Sequence, residues 1–155
     1  MKRTNVSSVL LVGVVAAAGM WIITRYFYAS MINVPASVPM AEFLIAAVLA
    51  WAAIRVSQRV EKHQIGQDRS QLNPVTAAKL LAVGKAGAWT GALFGGAYVG
   101  RALYVVPKMG ELVAAHDDVP LVLASVAGGL AMSAAGLWLE RACSVPPPPN
   151  GEAVR

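Results

Sequence analysis

Residues 74–106 read PVTAAKLLAVGKAGAWTGALFGGAYVGRALYVV, an apolar run in which Gly87, Gly91 and Gly95 recur at every fourth position, with Gly84, Gly96 and Gly100 beside them. Charge enters it only at Lys79, Lys85 and Arg101. A helix needs ~20 apolar residues to cross ~30 Å of hydrocarbon, so this run is long enough to span a bilayer and to tilt or protrude. Helices in lipid gain little by burying apolar side chains against each other; they associate where small residues let backbones approach. The spacing puts Gly87, Gly91 and Gly95 on one stripe and predicts a packing seam.

Three further apolar segments surround it, at about 7–26, 39–57 and 119–140. The last carries Ser125, Gly129 and Ser133 at steps of four, a surface that matches the glycine stripe and predicts close packing of the third and fourth segments. Of all residues 57% are hydrophobic and 14% charged, against the ~25% charged of a soluble domain. The expectation is an all-α, integral membrane four-helix bundle of two antiparallel transmembrane hairpins. It forms one transmembrane domain over residues 1–143, and the proline-rich residues 144–155 form a flexible cytoplasmic tail. Asn73 before Pro74, and Asp117 and Asp118 before Val119 and Pro120, read as N-terminal caps of the third and fourth helices. Pro107 reads as the close of the third.

The net charge of +5 is spread between apolar runs instead of along one solvated face, which argues against a nucleic-acid partner and for a topology signal. With the N-terminus inside, Lys2, Arg3, Arg55, Arg59, Lys62, Arg69, Lys79, Lys85, Arg141 and Arg155 fall on the cytoplasmic side. Arg25, Arg101 and Lys108 fall outside. Both termini are therefore expected in the cytoplasm of a plasma-membrane protein. The basic start followed by an apolar stretch also fits a secretion signal, but Tyr28 stands where a cleavage site wants a small residue, so a retained anchor is expected. The connection 58–73 reads as a solvated loop that enforces this topology.

Enzyme signatures are missing: there is no Cys-x-x-Cys, His-Glu-x-x-His, Gly-x-Ser-x-Gly or phosphate-cradling Gly-rich loop. His63, His116 and Cys143 are too few and too scattered for a metal site, and a lone cysteine makes no internal disulfide. No catalysis, cofactor or metal is expected.

Charged residues inside apolar spans are site candidates by default. Lys85 and Glu140 are expected to meet near the inner interface, and Glu42 to meet Arg101 or Arg25 near the outer one, leaving an apolar middle. Tyr26, Tyr28, Tyr98, Tyr104 and Trp138 read as interfacial anchors, Trp21, Trp51 and Trp89 as deeper packing residues.

The stretches 72–88 (LNPVTAAKLLAVGKAGA), 91–96 (GALFGG) and 135–146 (AGLWLERACSVP) resemble a family of small four-span membrane proteins of actinobacteria catalogued as domain of unknown function 3180. The resemblance implies that Lys85, Glu140 and Cys143 are characteristic positions, and assigns them no role. Ser144 departs from the basic residue that commonly follows the cysteine there. The expected function is that of a non-catalytic accessory or assembly subunit whose partners are the lipid bilayer and another membrane protein or a second copy. A small oligomeric transporter or channel is the alternative.

Overall fold

The computed structural model describes residues 4–61 and 74–144. They form four helices, α1 (Val6–Phe27), α2 (Ser37–Glu61), α3 (Pro74–Lys108) and α4 (Val113–Cys143), with one 3-10 turn at Tyr28–Ser30. There is no strand among the described residues. The expected cap at Asn73, most of the connection 58–73, residues 1–3 and the tail from 145 lie outside them.

Three helical segments, Val6–Ser30, Ser37–Gln58 and Val113–Cys143, are long and apolar enough to cross a membrane. The 35 residues of α3 are long enough, but its glycines, Lys79, Lys85 and Arg101 dilute its hydropathy. The dilution has a structural counterpart, since α3 is packed between α1 and α4. Large apolar side chains on the outer faces are bare, Leu10, Leu11 and Val14 on α1 and Met40, Leu44 and Val48 on α2 all being more than half exposed. Contiguous apolar surface of this kind is rare on soluble monomers.

Glycine decides the packing. Gly91 of α3 lies against the backbone of Gly129 and Ser133, Gly95 against Gly129, Gly84 against Gly136 and Glu140, and Gly136 against Ala88. The contacts run in opposite senses, so α3 and α4 are antiparallel. The seam positions on α3 are 84, 88, 91 and 95, alternating steps of four and three, which keeps them on one line along a helix. A strict fourth-residue stripe drifts by about 40° at each step. That drift carries Gly87 off the seam and under the side chain of Leu49 in α2. Ser125 is fully buried on α4 without a hydrogen-bond partner. Ser133 donates its hydroxyl to the Ala88 carbonyl at 3.1 Å. Ser133→Ala is expected to cost about 1 kcal/mol, the usual net contribution of a hydrogen bond, measured by thermal unfolding.

A second glycine pair on α3 faces the other way. Gly96 meets the backbone of Gly13, and Gly100 that of Ala17, so α1 runs parallel to α3. On the opposite flank Ala46, Leu49, Ala53 and Val56 of α2 form a core with Met132, Ala135, Leu139 and Cys143 of α4. The helices thus pack in the order α1, α3, α4, α2, with α2 only grazing α3 and no contact between α1 and α2. The closest packing is between α3 and α4, which follow one another in the chain. The first two helices, α1 and α2, pack on the central pair and not on each other.

Helix ends differ from the sequence reading in a way that matters for the site. The fourth helix begins at Val113, after an extended Leu112, so Asp117 and Asp118 lie inside it and cap nothing. Pro107 does not stop α3, which runs one residue further to Lys108. Proline denies an N–H to the preceding turn and leaves the next residue free to stay helical.

Candidate functional site

At one end of the molecule α1 and α2 stand on opposite flanks of the central pair, so the segment joining them must cross over α3 and α4. Its backbone polar groups need partners once buried. Arg101 of α3 and Asp118 of α4 supply them. Arg101 Nε and Nη2 donate to Asp118 Oδ2 at 2.9 and 2.7 Å. Nη2 also donates to the Ile32 carbonyl at 3.0 Å, and the Val34 N–H donates to Asp118 Oδ1 at 2.8 Å. Asp118 is fully buried and Arg101 nearly so. Beside this clamp the rings of Tyr28 and Tyr104 meet at 5.4 Å. Arg101 is therefore committed to Asp118 and the crossing segment, not to Glu42. Arg25 lies over the Trp21 ring at 5.6 Å. At the α3–α4 turn Lys108 and Glu111 pair at 3.0 Å, a bond that pushes the exposed Lys108 ammonium above its usual range.

At the other end Lys85 and Glu140 are apart. Glu140 is buried and accepts the Thr4 N–H at 2.6 Å, which sets a carboxyl at the start of α1, where the helix dipole favours negative charge. Lys85 is exposed. The reason is helical phase: Gly84 faces α4, and one residue on, a turn of ~100° points Lys85 outward. Glu140 Oε2 and the Thr4 hydroxyl have no partner, and both residues line a recess of about 340 Å³ with Arg141 and Ser144. Trp51 is exposed and not a packing residue; Arg55, one turn on, covers its ring at 5.1 Å.

Glu42 pairs with neither Arg101 nor Arg25. It sits on α2 directly over Gly128, the midpoint of the 31 residues of α4, and so halfway along that helix instead of near its end. A methyl group at position 128 would lie 2.7 Å from Glu42 Oε2 and 2.8 Å from its Cβ, so the missing side chain of Gly128 is the space that the carboxyl occupies. The residue is 6% exposed, and neither carboxyl oxygen has a hydrogen-bond partner. It borders a groove of about 430 Å³ to which α2 contributes Ala41 and Ile45, α3 Thr90 and Phe94, and α4 Met132. The groove exists because α2 leans on α4 and leaves this face of α3 uncovered.

In chemical terms the clamp is a closed structural device, with each charged group satisfied. The Glu42 groove is open and its one ionisable group is not. Among the described residues no three His, Cys, Asp or Glu side chains converge in a way that could hold a metal ion.

The model of the family described as Protein of unknown function (DUF3180) matches residues 9–147, and the chain belongs to that family. No curated protein and no solved structure matches it.

Proposed function

We propose that this DUF3180 protein is a non-catalytic integral membrane protein, an accessory or assembly subunit that receives a helix of another membrane protein in the groove between α2, α3 and α4. In this reading all four helices cross the plasma membrane, with α3 sheltered by its neighbours and both termini cytoplasmic. The distribution of cations supports that orientation: Arg55, Lys79, Lys85 and Arg141 are exposed towards the end where α1 begins. At the opposite end Arg101 is neutralised by Asp118 and Lys108 by Glu111. Trp51 with Arg55, and Trp21 with Arg25, are the amphipathic pairs that membrane interfaces favour.

The observation that carries the reading is Glu42, a buried carboxyl with both oxygens unpartnered beside an open groove. Ionisable groups in the middle of a bilayer are costly unless matched. A photo-crosslinking side chain at Ile45, in the groove, is expected to give one discrete adduct with another membrane protein in native membranes. The same group at Leu11, on the bare face of α1, is expected to give lipid adducts only. Equal protein adducts from both positions, or lipid adducts alone from Ile45, count against docking in the groove.

A small oligomeric transporter or channel is a second reading, favoured by the same carboxyl, because carriers place their binding groups near the midplane. It requires a second copy to close the groove into a wet path. Loss of a measurable ion flux in Glu42→Gln vesicles supports it, whereas vesicles without flux before the substitution exclude it.

A further inference from the structure

We infer that the groove over Glu42 is built for a cation carried at the middle of a partner's transmembrane helix, a lysine or arginine side chain that enters from the lipid and pairs with the Glu42 carboxyl as that side chain turns from Gly128 towards the groove. The inference rests on the docking reading above and names the chemistry of the partner.

Three observations carry it. First, the carboxyl has a place: Gly128 lets α2 approach so closely that a methyl group there would meet both the Cβ and Oε2 of Glu42, and both carboxyl oxygens are left without a partner. Secondly, no described cation of this chain is available to it. Arg101 is bound to Asp118 and Lys108 to Glu111, Arg25 and Arg55 lie over tryptophan rings, and Lys79, Lys85 and Arg141 are exposed on α3 and α4 near the end where α1 begins. A second copy side by side in the same orientation would bring the same described cations at the same levels, none of them halfway along a helix, which favours a different chain as the partner. Thirdly, the groove offers a free metal ion almost nothing else. Hard cations take six or more oxygen ligands, whereas the only other side-chain oxygens lining the groove are the hydroxyls of Ser37 and Thr90, and Val38, Ala41, Ile45, Phe94 and Met132 make up the rest. Such walls suit the apolar flanks of a helix, and the carboxyl suits the one charge that helix carries. Pairing removes two desolvation costs at once, which gives such a contact specificity as well as affinity.

The test uses the purified full-length protein in lipid vesicles, with a donor fluorophore on the protein and acceptor-labelled synthetic helices of leucine and alanine. One peptide has a single central lysine, another a leucine in its place. The lysine peptide is expected to give saturable energy transfer with at least about tenfold tighter association than the leucine peptide, a difference that vanishes in Glu42→Gln. Helicity and thermal midpoint of Glu42→Gln are checked alongside; if that variant does not fold, the lysine preference of the native protein decides the matter alone. Equal binding of the two peptides, or a lysine preference that survives in Glu42→Gln, overturns the inference. Self-association of the protein without peptide that Glu42→Gln abolishes overturns it in favour of a second copy. Because the Ile45 crosslink is scored separately, a discrete protein adduct with no lysine preference leaves the docking reading standing and removes only the cation. Absence of both removes the two together.

Discussion

Replacing Arg101 by alanine is expected to lower the stability of the protein by about 3–5 kcal/mol, the range for removing one partner of a buried ion pair. The loss has two parts. Asp118 is fully buried and would be left with a charge and no cation. The crossing segment between α1 and α2 would also lose the donor that holds the Ile32 carbonyl. Asp118→Ala should match it in size, since it strips the Val34 N–H of its acceptor and leaves Arg101 unpaired. The double substitution should cost clearly less than the sum of the singles, because each removes the same interaction. Arg101→Lys is expected to fall between: it keeps the charge but cannot donate from Nε and Nη2 at once to a carboxylate and a carbonyl. Unfolding in mild detergent measures the energies, and hydrogen exchange at Val34 reports the crossing segment. A double variant as costly as the two singles added together would show that the two side chains act independently, contrary to the geometry.

A comparable effect is expected where α1 docks on α3. Alanine at Gly100 would press its methyl group into the Ala17 carbonyl and within 2.9 Å of the Trp21 nitrogen, and alanine at Gly96 would meet the Gly13 backbone. These neighbours are backbone and cannot swing away, so the helices must separate, at about 1–3 kcal/mol per site by the usual cost of overpacking. Leucine at either position should detach α1 from α3. The control is Gly19 on the same helix as Gly13, which has nothing within 4 Å of where a methyl group would stand. Gly19→Ala is expected to be neutral or to gain up to about 1 kcal/mol from helix propensity. If Gly96→Ala and Gly100→Ala were as harmless as Gly19→Ala in detergent unfolding, the close approach of α1 and α3 would be refuted.

The candidate site is only partly legible in the sequence. Arg101 stands out as a charge in an apolar run, but Asp118 reads as a cap wherever the fourth helix is taken to begin at Val119, six residues after its start at Val113. Counting from the turn finds the pair: Arg101 lies seven residues before the end of α3 and Asp118 five after the start of α4, so a tight hairpin brings them level. Glu42 was visible as an acid in a span, but its level was not, since the offset between α2 and α4 depends on which side chains interlock. Lys85 and Glu140 have suitable levels and the wrong phase, an error that counting residues along an axis cannot detect.

By itself the sequence determined that the chain is helical and apolar, that small residues would set the distances between its helices, and that it belongs with the DUF3180 proteins, because run length, hydropathy and residue size are properties of consecutive positions. Only the tertiary structure decided that the two glycine faces of α3 take different partners, that α1 and α2 never meet, and that a carboxyl comes to rest unpartnered over Gly128. Those outcomes turn on rotation of each helix about its own axis. Rotation is fixed by the best joint fit of several surfaces at once, which no single segment encodes.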